Sequence, residues 1–275
     1  MIYLKHDFNP VHTFDCGQCF RWNIMDTEDE YIGVAGGKVC RVKGSEVFCP
    51  DEDNAFWENY FCADIDYQNI KSLLGENDPK LRKCIDFGGG IRLLRQDTWE
   101  TIISFIISAN NNIPRIKKII ETMCREFGDK IEIQDKNINN SDYYTFPTAE
   151  KLCSLDISDL ACLRAGYRDK YIMDAASKVA SGEVDLSALP DMPTPDAKKE
   201  LMKIKGVGGK VADCILLFSL SRWELFPKDV WIKRILSEVY GVAEKEIDGF
   251  ITSKYGDYAG FAQQYMYYYY RENNI

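Results

Sequence analysis

Hydrophobic and polar positions divide this chain into two textures. Over residues 1–49 they alternate, or fall in β-branched and aromatic clusters, as in "YIGVAGGKVCRVKG" (31–44) and "SEVFCP" (45–50). That short period predicts strands, with Gly36-Gly37 as a hairpin signal. Beyond Pro50 the texture turns helical. "TWETIISFIISAN" (98–110) has Asp97 as its N-cap and Glu100 three residues on, a variant of the capping box. "IPRIKKIIETMCREF" (113–127) is amphipathic and is ended by Gly128. The polar span 135–144, "DKNINNSDYY", predicts a surface loop. Helical signals resume at 148–155, 157–163 and 169–181, then at 194–204, where Thr194 takes the N-cap and Pro195 the first helical position. Two more helices follow at 210–221 and 256–274, and no internal repeat is visible.

Composition changes this picture in three places. With 275 residues and 45% hydrophobic content, the chain can bury a large core, and it reads as one body of two subdomains. No run reaches 18 apolar residues, and the first ten residues lack the apolar core of a signal peptide. The expectation is an intracellular protein (cytoplasm or nucleoid) without a membrane partner, its ten cysteines reduced. Cys16 and Cys19 are the one close pair and His6 and His12 the only histidines, too few ligands for a structural zinc. The net charge of −9 argues against a nucleic-acid partner unless charge is segregated. Between Asp196 and Arg234 it is: nine basic residues face five acidic ones.

Inside that basic island lies "KGVGGKVADC" (205–214). A helix ends at Ile204, Gly206, Gly208 and Gly209 make a tight reversal, and a second helix starts near Gly209. This is a helix-hairpin-helix unit. The outward amides and positive dipole of its second helix suit a phosphate. Lys210 sits in the first turn there, where positive potential lowers an amine's pKa, and a free amine can be a nucleophile. The same lysine could merely contact phosphate in a non-catalytic DNA clamp. Nineteen residues on, Asp229 in "FPKDVWIKR" either caps the next helix or places its carboxylate beside the lysine to stabilise developing positive charge.

These segments resemble the 8-oxoguanine DNA glycosylases of the helix-hairpin-helix (HhH-GPD) glycosylase superfamily. The resemblance runs through "GQCFRW" (17–22), residues 90–116, "LRAGYRDKYI" (163–172), 205–214, 226–234 and "YAGFAQQ" (258–264), in family order. It implies a mainly α protein of the α+β class. An N-terminal antiparallel β-sheet subdomain (1–90), related to the sheet of TATA-binding protein, would precede a helical glycosylase region (91–275) in two subdomains. The implied activity is bifunctional. The enzyme, acting as a monomer, would flip 8-oxoguanine out of duplex DNA, preferentially opposite cytosine, excise it through a lysine Schiff base, and cut the strand by β-elimination.

The resemblance also assigns roles. Lys210 matches the nucleophile and Asp229 the stabilising carboxylate. Gly17 matches the glycine whose carbonyl accepts from N7–H of the lesion, Cys214 and Tyr267 the stacking walls, and Gln263 the reader of the Watson–Crick edge. Asn110 would fill the vacated stack, Tyr167 would wedge beside it, and Arg115 and Arg168 would contact the orphaned cytosine. The carbonyls of Met202, Ile204 and Val207 match a monovalent or divalent cation site at the hairpin, structural rather than chemical, since the chemistry needs no cofactor. No cysteine follows Cys214, so the iron–sulfur cluster of the endonuclease III branch is not expected. The chain departs from the family at Trp231, where some relatives carry a phosphate-contacting histidine, and at Tyr267, where many carry phenylalanine. The run "YMYYYYR" (265–271) has no counterpart and reads as a packed, partly exposed helix end. A non-catalytic DNA-binding module, or a glycosylase for another damaged base, are the alternatives.

Overall fold

In the computed structural model, which describes residues 1–4, 8–27, 29–76, 78–133 and 142–274, the alternating region folds as a five-stranded antiparallel sheet. The strands are β1 (Ile2–Tyr3), β2 (Trp22–Ile24), β3 (Glu30–Ala35), β4 (Lys38–Lys43) and β5 (Glu46–Phe48), in the order β1-β5-β4-β3-β2. Gly36 and Gly37 both take positive φ (55° and 71°), the requirement of the tight hairpin that joins β3 to β4. Trp22 lies across Gly33, where a Cβ would come within 2.3 Å of the indole, and stacks on Phe14 at 3.9 Å. With Tyr31, Trp57 and Phe61 they form the aromatic core under the sheet.

The strand region is not all strand. Pro10–Phe14 is a helix, capped by Asn9, whose side chain accepts from the His12 N–H at 3.1 Å. It delivers the loop 15–17 to the helical body. There a larger core gathers the helices from Tyr67 onward, while Asn54–Tyr60 packs into the sheet's core through Trp57 and Tyr60. The helices Tyr67–Glu76 and Pro79–Phe87 belong to that core and not to the sheet's, although they fall within the first ninety residues.

Several local expectations shift. Asp97 does cap Thr98–Ser108, accepting from the Glu100 N–H at 2.8 Å, but the Glu100 side chain turns away to pair with Arg21 at 3.4 Å. Thr194 is not an N-cap: Pro193 holds that position, Thr194 opens the helix Thr194–Leu201, and its hydroxyl donates to Glu224. That helix stops at Leu201, three residues before Ile204, because the Ile204 N–H turns back to the Leu201 carbonyl. Residues 159–163 form a 3-10 turn and not an α-helix. The last helix starts at Ala259, after a 3-10 turn at Gly256–Tyr258, and a helix that was not expected, Ile247–Tyr255, precedes it. Of the polar span 135–144, residues 135–141 lie outside the described residues, and Tyr143–Tyr144 pairs as a short strand with Lys130–Ile131. Among the described residues no helix is long and apolar enough to cross a membrane.

Candidate active site

The hairpin is built as its glycines require. Gly206 has φ 88°, and a Cβ there would meet the Tyr171 ring at 2.7 Å, so only glycine fits. Gly208 is extended and caps the helix Gly209–Leu220 without a side-chain cap; no described atom lies within 4 Å of where its Cβ would be. The helix N-terminus is therefore open to an anion. Of the three carbonyls proposed for a cation, that of Ile204 accepts from the Val207 N–H at 3.1 Å. The Lys178 ammonium occupies the neighbouring carbonyl of Lys203. The donor set is neutral, which fits a loosely held monovalent cation better than a divalent one. Among the described residues no cluster of three His, Cys, Asp or Glu side chains could hold a metal.

The basic island is less positive than its sequence count. Lys198, Lys199, Lys203, Lys205, Lys228, Lys233 and Arg234 all stand in ion pairs, four of them with Asp174, Asp248, Glu244 and Glu238 from outside the segment.

Lys210 points from the first turn of its helix into a cleft of about 800 Å³. Gly17, Asn110, Cys214, Asp229, Gln263 and Tyr267 line the same cleft. The six come from five separated segments, brought together by the packing of the loop 15–17, the end of Thr98–Ser108, the lysine helix, the start of Val230–Glu238 and the Ala259–Glu272 helix. Asp229 serves as both cap and cleft wall: its Oδ1 accepts from the Ile232 N–H at 2.8 Å. Burial works to lower the Lys210 pKa, but the Cys214 sulfur one turn on and the Asp229 carboxylate outweigh it, and the amine is held above its usual range. Burial in turn pushes the Cys214 thiol up to about 11. The expectation of a lowered lysine pKa is thus corrected: the side chain leaves the helix terminus for a pair of groups that favour its charge.

Gly17 has φ 84°, and a Cβ would crowd the Tyr267 ring at 3.3 Å. Its loop is clamped by a residue that the motif reading passed over. Gln18, 1% exposed, donates to the carbonyls of Thr13 (3.0 Å) and Arg92 (2.7 Å) and accepts from the Leu94 N–H (3.0 Å). Gln264 adds a bond to the Cys16 carbonyl at 2.7 Å. Its neighbour Gln263 faces the cleft, 5% exposed, with an Oε1 that has no partner among the described residues. Sequence position within "GQCFRW" and "AQQ" was the only signal for Gln18 and Gln264. The run 265–271 is more than a packed helix end, since Tyr267, Tyr270 and Arg271 all line the cleft. Trp231 stands half exposed at the rim.

The other assigned residues, apart from Asn110, lie outside the cleft. Asn110, exposed and with φ 50°, marks its edge. Arg168 is 3% exposed; its guanidinium donates to the carbonyls of Ala109, Asn110 (3.0 Å) and Ala165 (3.0 Å). Tyr167 is exposed, with its hydroxyl 3.4 Å from the Ala109 carbonyl, and Arg168 lies over its ring at 4.5 Å. Arg115 is exposed and donates to the Arg164 carbonyl at 3.1 Å.

Residues 1–102 match a family model described as 8-oxoguanine DNA glycosylase, N-terminal domain, and residues 103–251 one described as HhH-GPD superfamily base excision DNA repair protein. An N-glycosylase/DNA lyase of Saccharomyces cerevisiae is 33% identical over 269 residues, covering 87% of this chain and 70% of that protein. A solved structure of MBOgg1 in complex with a low-affinity DNA ligand is 46% identical with a TM-score of 0.90, covering 98% of this chain and 94% of that one. The Clostridium acetobutylicum 8-oxoguanine glycosylase/lyase, in complex with double-stranded DNA containing cytosine opposite 8-oxoguanine, is 42% identical with a TM-score of 0.89, over 98% and 93% of the two chains.

Proposed function

This chain belongs to the 8-oxoguanine DNA glycosylases of the HhH-GPD superfamily, and from that premise we propose the roles of its residues. It is a DNA N-glycosylase with lyase activity, acting on duplex DNA that contains 8-oxoguanine. Lys210 is its nucleophile. The bond between C1′ and the base breaks, its electron pair leaves with the purine, and the Lys210 nitrogen bonds to C1′. The amine attacks in its neutral form, and the ammonium that forms on bonding to C1′ passes its extra proton to the departing purine anion. Opening of the sugar turns the adduct into an imine, which acidifies C2′–H; loss of that proton expels the 3′ phosphate and cuts the strand. Asp229, negative and fixed by its capping bond, stabilises the positive charge that grows on the sugar.

Within the cleft, Gly17 would accept from N7–H, a proton that undamaged guanine lacks. Gln263 would meet the Watson–Crick edge, and Cys214 and Tyr267 would face the two sides of the ring. Asn110 and Tyr167 would hold the vacated stack, and Arg115 and Arg168 would favour cytosine opposite the lesion, since a guanidinium only donates. Gly206, Gly208 and Gly209 would meet the DNA backbone. A cation on the carbonyls of Met202, Ile204 and Val207 would steady the hairpin on that phosphate and take no part in the chemistry.

The observation that carries this reading is that Lys210 and Asp229 share one cleft with the unpartnered Gln263 Oε1. A clamp that only held phosphate would have no use for a half-buried lysine aimed into such a cleft. Borohydride reduction in the presence of an 8-oxoguanine duplex should link protein to DNA. Lys210→Gln should abolish the link while DNA binding stays within a few-fold; an adduct that survives the substitution places the nucleophile elsewhere.

A further inference from the structure

The tyrosine-rich end of the Ala259–Glu272 helix turns one cation, Arg271, into the lesion cleft. Two corners of its guanidinium are fixed from the protein side. Nη2 donates to the Asp15 carbonyl, and Nε and Nη2 donate to the Glu272 carboxylate at 2.9 and 2.7 Å. The group lies 5.5 Å from the centre of the Tyr267 ring and 5.6 Å from that of Tyr268. The third corner is different. Nη1 is buried and has no hydrogen-bond partner among the described residues. It stands beside Gly17, 3.4 Å from where a Cβ on that glycine would be.

A buried donor without an acceptor is destabilising, more so on a charged group. Arginine cannot escape by losing its proton. Lysine at this position would offer a point charge, without the fork that lets two corners anchor while the third stays free. The missing acceptor is therefore to be sought in what enters the cleft.

We propose that Arg271 is a base-contacting residue, its Nη1 donating to an exocyclic carbonyl oxygen beside N7 of the extruded purine. The proposal rests on the reading that the lesion base occupies this cleft. Its logic is one of pattern. The Gly17 carbonyl accepts and the neighbouring Arg271 corner donates, so the pair complements an N7–H flanked by a carbonyl oxygen. In 8-oxoguanine N7–H has such an oxygen on each side, O6 and O8. Undamaged guanine has O6 but presents a lone pair at N7, which the Gly17 carbonyl repels. The arginine adds grip to the base, and it adds discrimination if the oxygen is O8.

The test measures binding in a Lys210→Gln background, where the base stays attached, by fluorescence anisotropy. Duplexes carry 8-oxoguanine, 8-oxoadenine, undamaged guanine, or a tetrahydrofuran abasic analogue that has no base. Adding Arg271→Leu should weaken binding of the 8-oxoguanine duplex by at least about tenfold, the scale of one hydrogen bond to a charged group. Tetrahydrofuran binding should stay within about twofold. A parallel loss on 8-oxoadenine, which keeps O8 but has an amino group in place of O6, assigns the contact to O8; a loss confined to 8-oxoguanine assigns it to O6. Arg271→Lys, which preserves the charge without the fork, should lose 8-oxoguanine binding in the same sense, and it stands in if the leucine variant melts early. Unchanged 8-oxoguanine binding overturns the proposal. So does an equal loss on the tetrahydrofuran duplex, which would make Arg271 a brace for the loop 15–17. If the Lys210→Gln protein with Arg271 intact binds 8-oxoguanine no better than guanine, the reading of the cleft fails first, and this contact with it.

Discussion

The lesion cleft and the loop that would face the opposite strand are built on contrary terms. In the cleft, polar groups are braced from behind and bare in front. Gln18 and Gln264 lock the loop that carries Gly17, while Gln263 Oε1 and Arg271 Nη1 are buried without partners among the described residues. At the Asn110 loop the polar groups already have partners within the protein. Arg168 donates to three backbone carbonyls, Arg115 to that of Arg164, and the Tyr167 hydroxyl to that of Ala109. A bare buried polar group costs roughly 1–3 kcal/mol, recovered when a ligand supplies the partner. The cleft is thus preorganised for a base. On the proposed reading, the loop at Asn110 would have to exchange protein hydrogen bonds for DNA ones, and its arginines would act only after that exchange. Recognition of the lesion and recognition of the base across from it should then respond to different perturbations.

The largest effect after loss of the nucleophile belongs to the cleft. Asp229→Asn keeps an oxygen to accept from the Ile232 N–H and removes only the charge. Single-turnover excision should fall by roughly 10²-fold, the scale of a lost electrostatic stabiliser, with the melting temperature nearly unchanged. A rate within a few-fold of wild type would make Asp229 a helix cap and remove the chemical half of the comparison.

The pH profile probes the same cleft more finely. Lys210 is held above its usual pKa, so the neutral amine is a small fraction at neutral pH and grows about tenfold per pH unit until the pKa is reached. If the amine attacks, the single-turnover rate should climb from pH 6 to 9 with a slope near one. Cys214→Ala removes a group that raises the lysine pKa, so it should move the climb to lower pH. A flat profile in both proteins would show that deprotonation does not limit the reaction.

Across the loop the effects should be smaller and of another kind. Excision opposite cytosine should exceed that opposite adenine by about tenfold, the lower part of the range for base-edge readout. Arg115 is exposed and makes one bond to the protein, so Arg115→Ala should shrink the ratio without lowering the melting temperature. Arg168→Ala should shrink it too, but should also destabilise the fold, because the carbonyls of Ala109, Asn110 and Ala165 lose their donor. Equal behaviour of the two variants in melting would erase the distinction between a prepared cleft and a self-satisfied loop.

The contrast also marks what the sequence could convey. The hairpin glycines, the strand period and the Asp97 and Asp229 caps are local: each depends on residues within a few positions, and each was legible. Lys210 and Asp229 were legible as candidates for the same reason. Their pKa relation was not, because it depends on where two side chains end in space. Gln18 and Arg271 bond to segments 74 and 256 residues away, distances at which no pattern along the chain carries a signal. Thr194 failed as a cap because the Asp196 and Ala197 N–H groups it would have met both turn to the Pro193 carbonyl, while its hydroxyl donates to Glu224, thirty residues on.

The smallest effect concerns the bridge between the two regions. Arg21 follows Gly17 by four residues, and Glu100 lies in the first turn of the helix that leads to Asn110, so their 3.4 Å pair joins the loop that carries Gly17 to the loop at Asn110. The Glu100 side chain is only 14% exposed. Its burial outweighs the attraction of Arg21 and pushes its pKa up to about 7. Between the unfolded value near 4.5 and that raised value, the native protein holds a proton that the unfolded chain does not. The contribution to stability is therefore full below about pH 4.5 and is lost as pH rises through 7. Glu100→Gln mimics the neutral form at every pH. It should match wild type near pH 4.5 and exceed it at pH 8 by about 3 kcal/mol in denaturant unfolding, a shift of several degrees in melting. If the variant is instead the less stable protein at pH 8, the ion pair outweighs the burial, and the link between cleft and loop is an electrostatic clasp. If the two proteins unfold alike at both pH values, Glu100 titrates as though in water, and the cleft and the loop are coupled by packing alone.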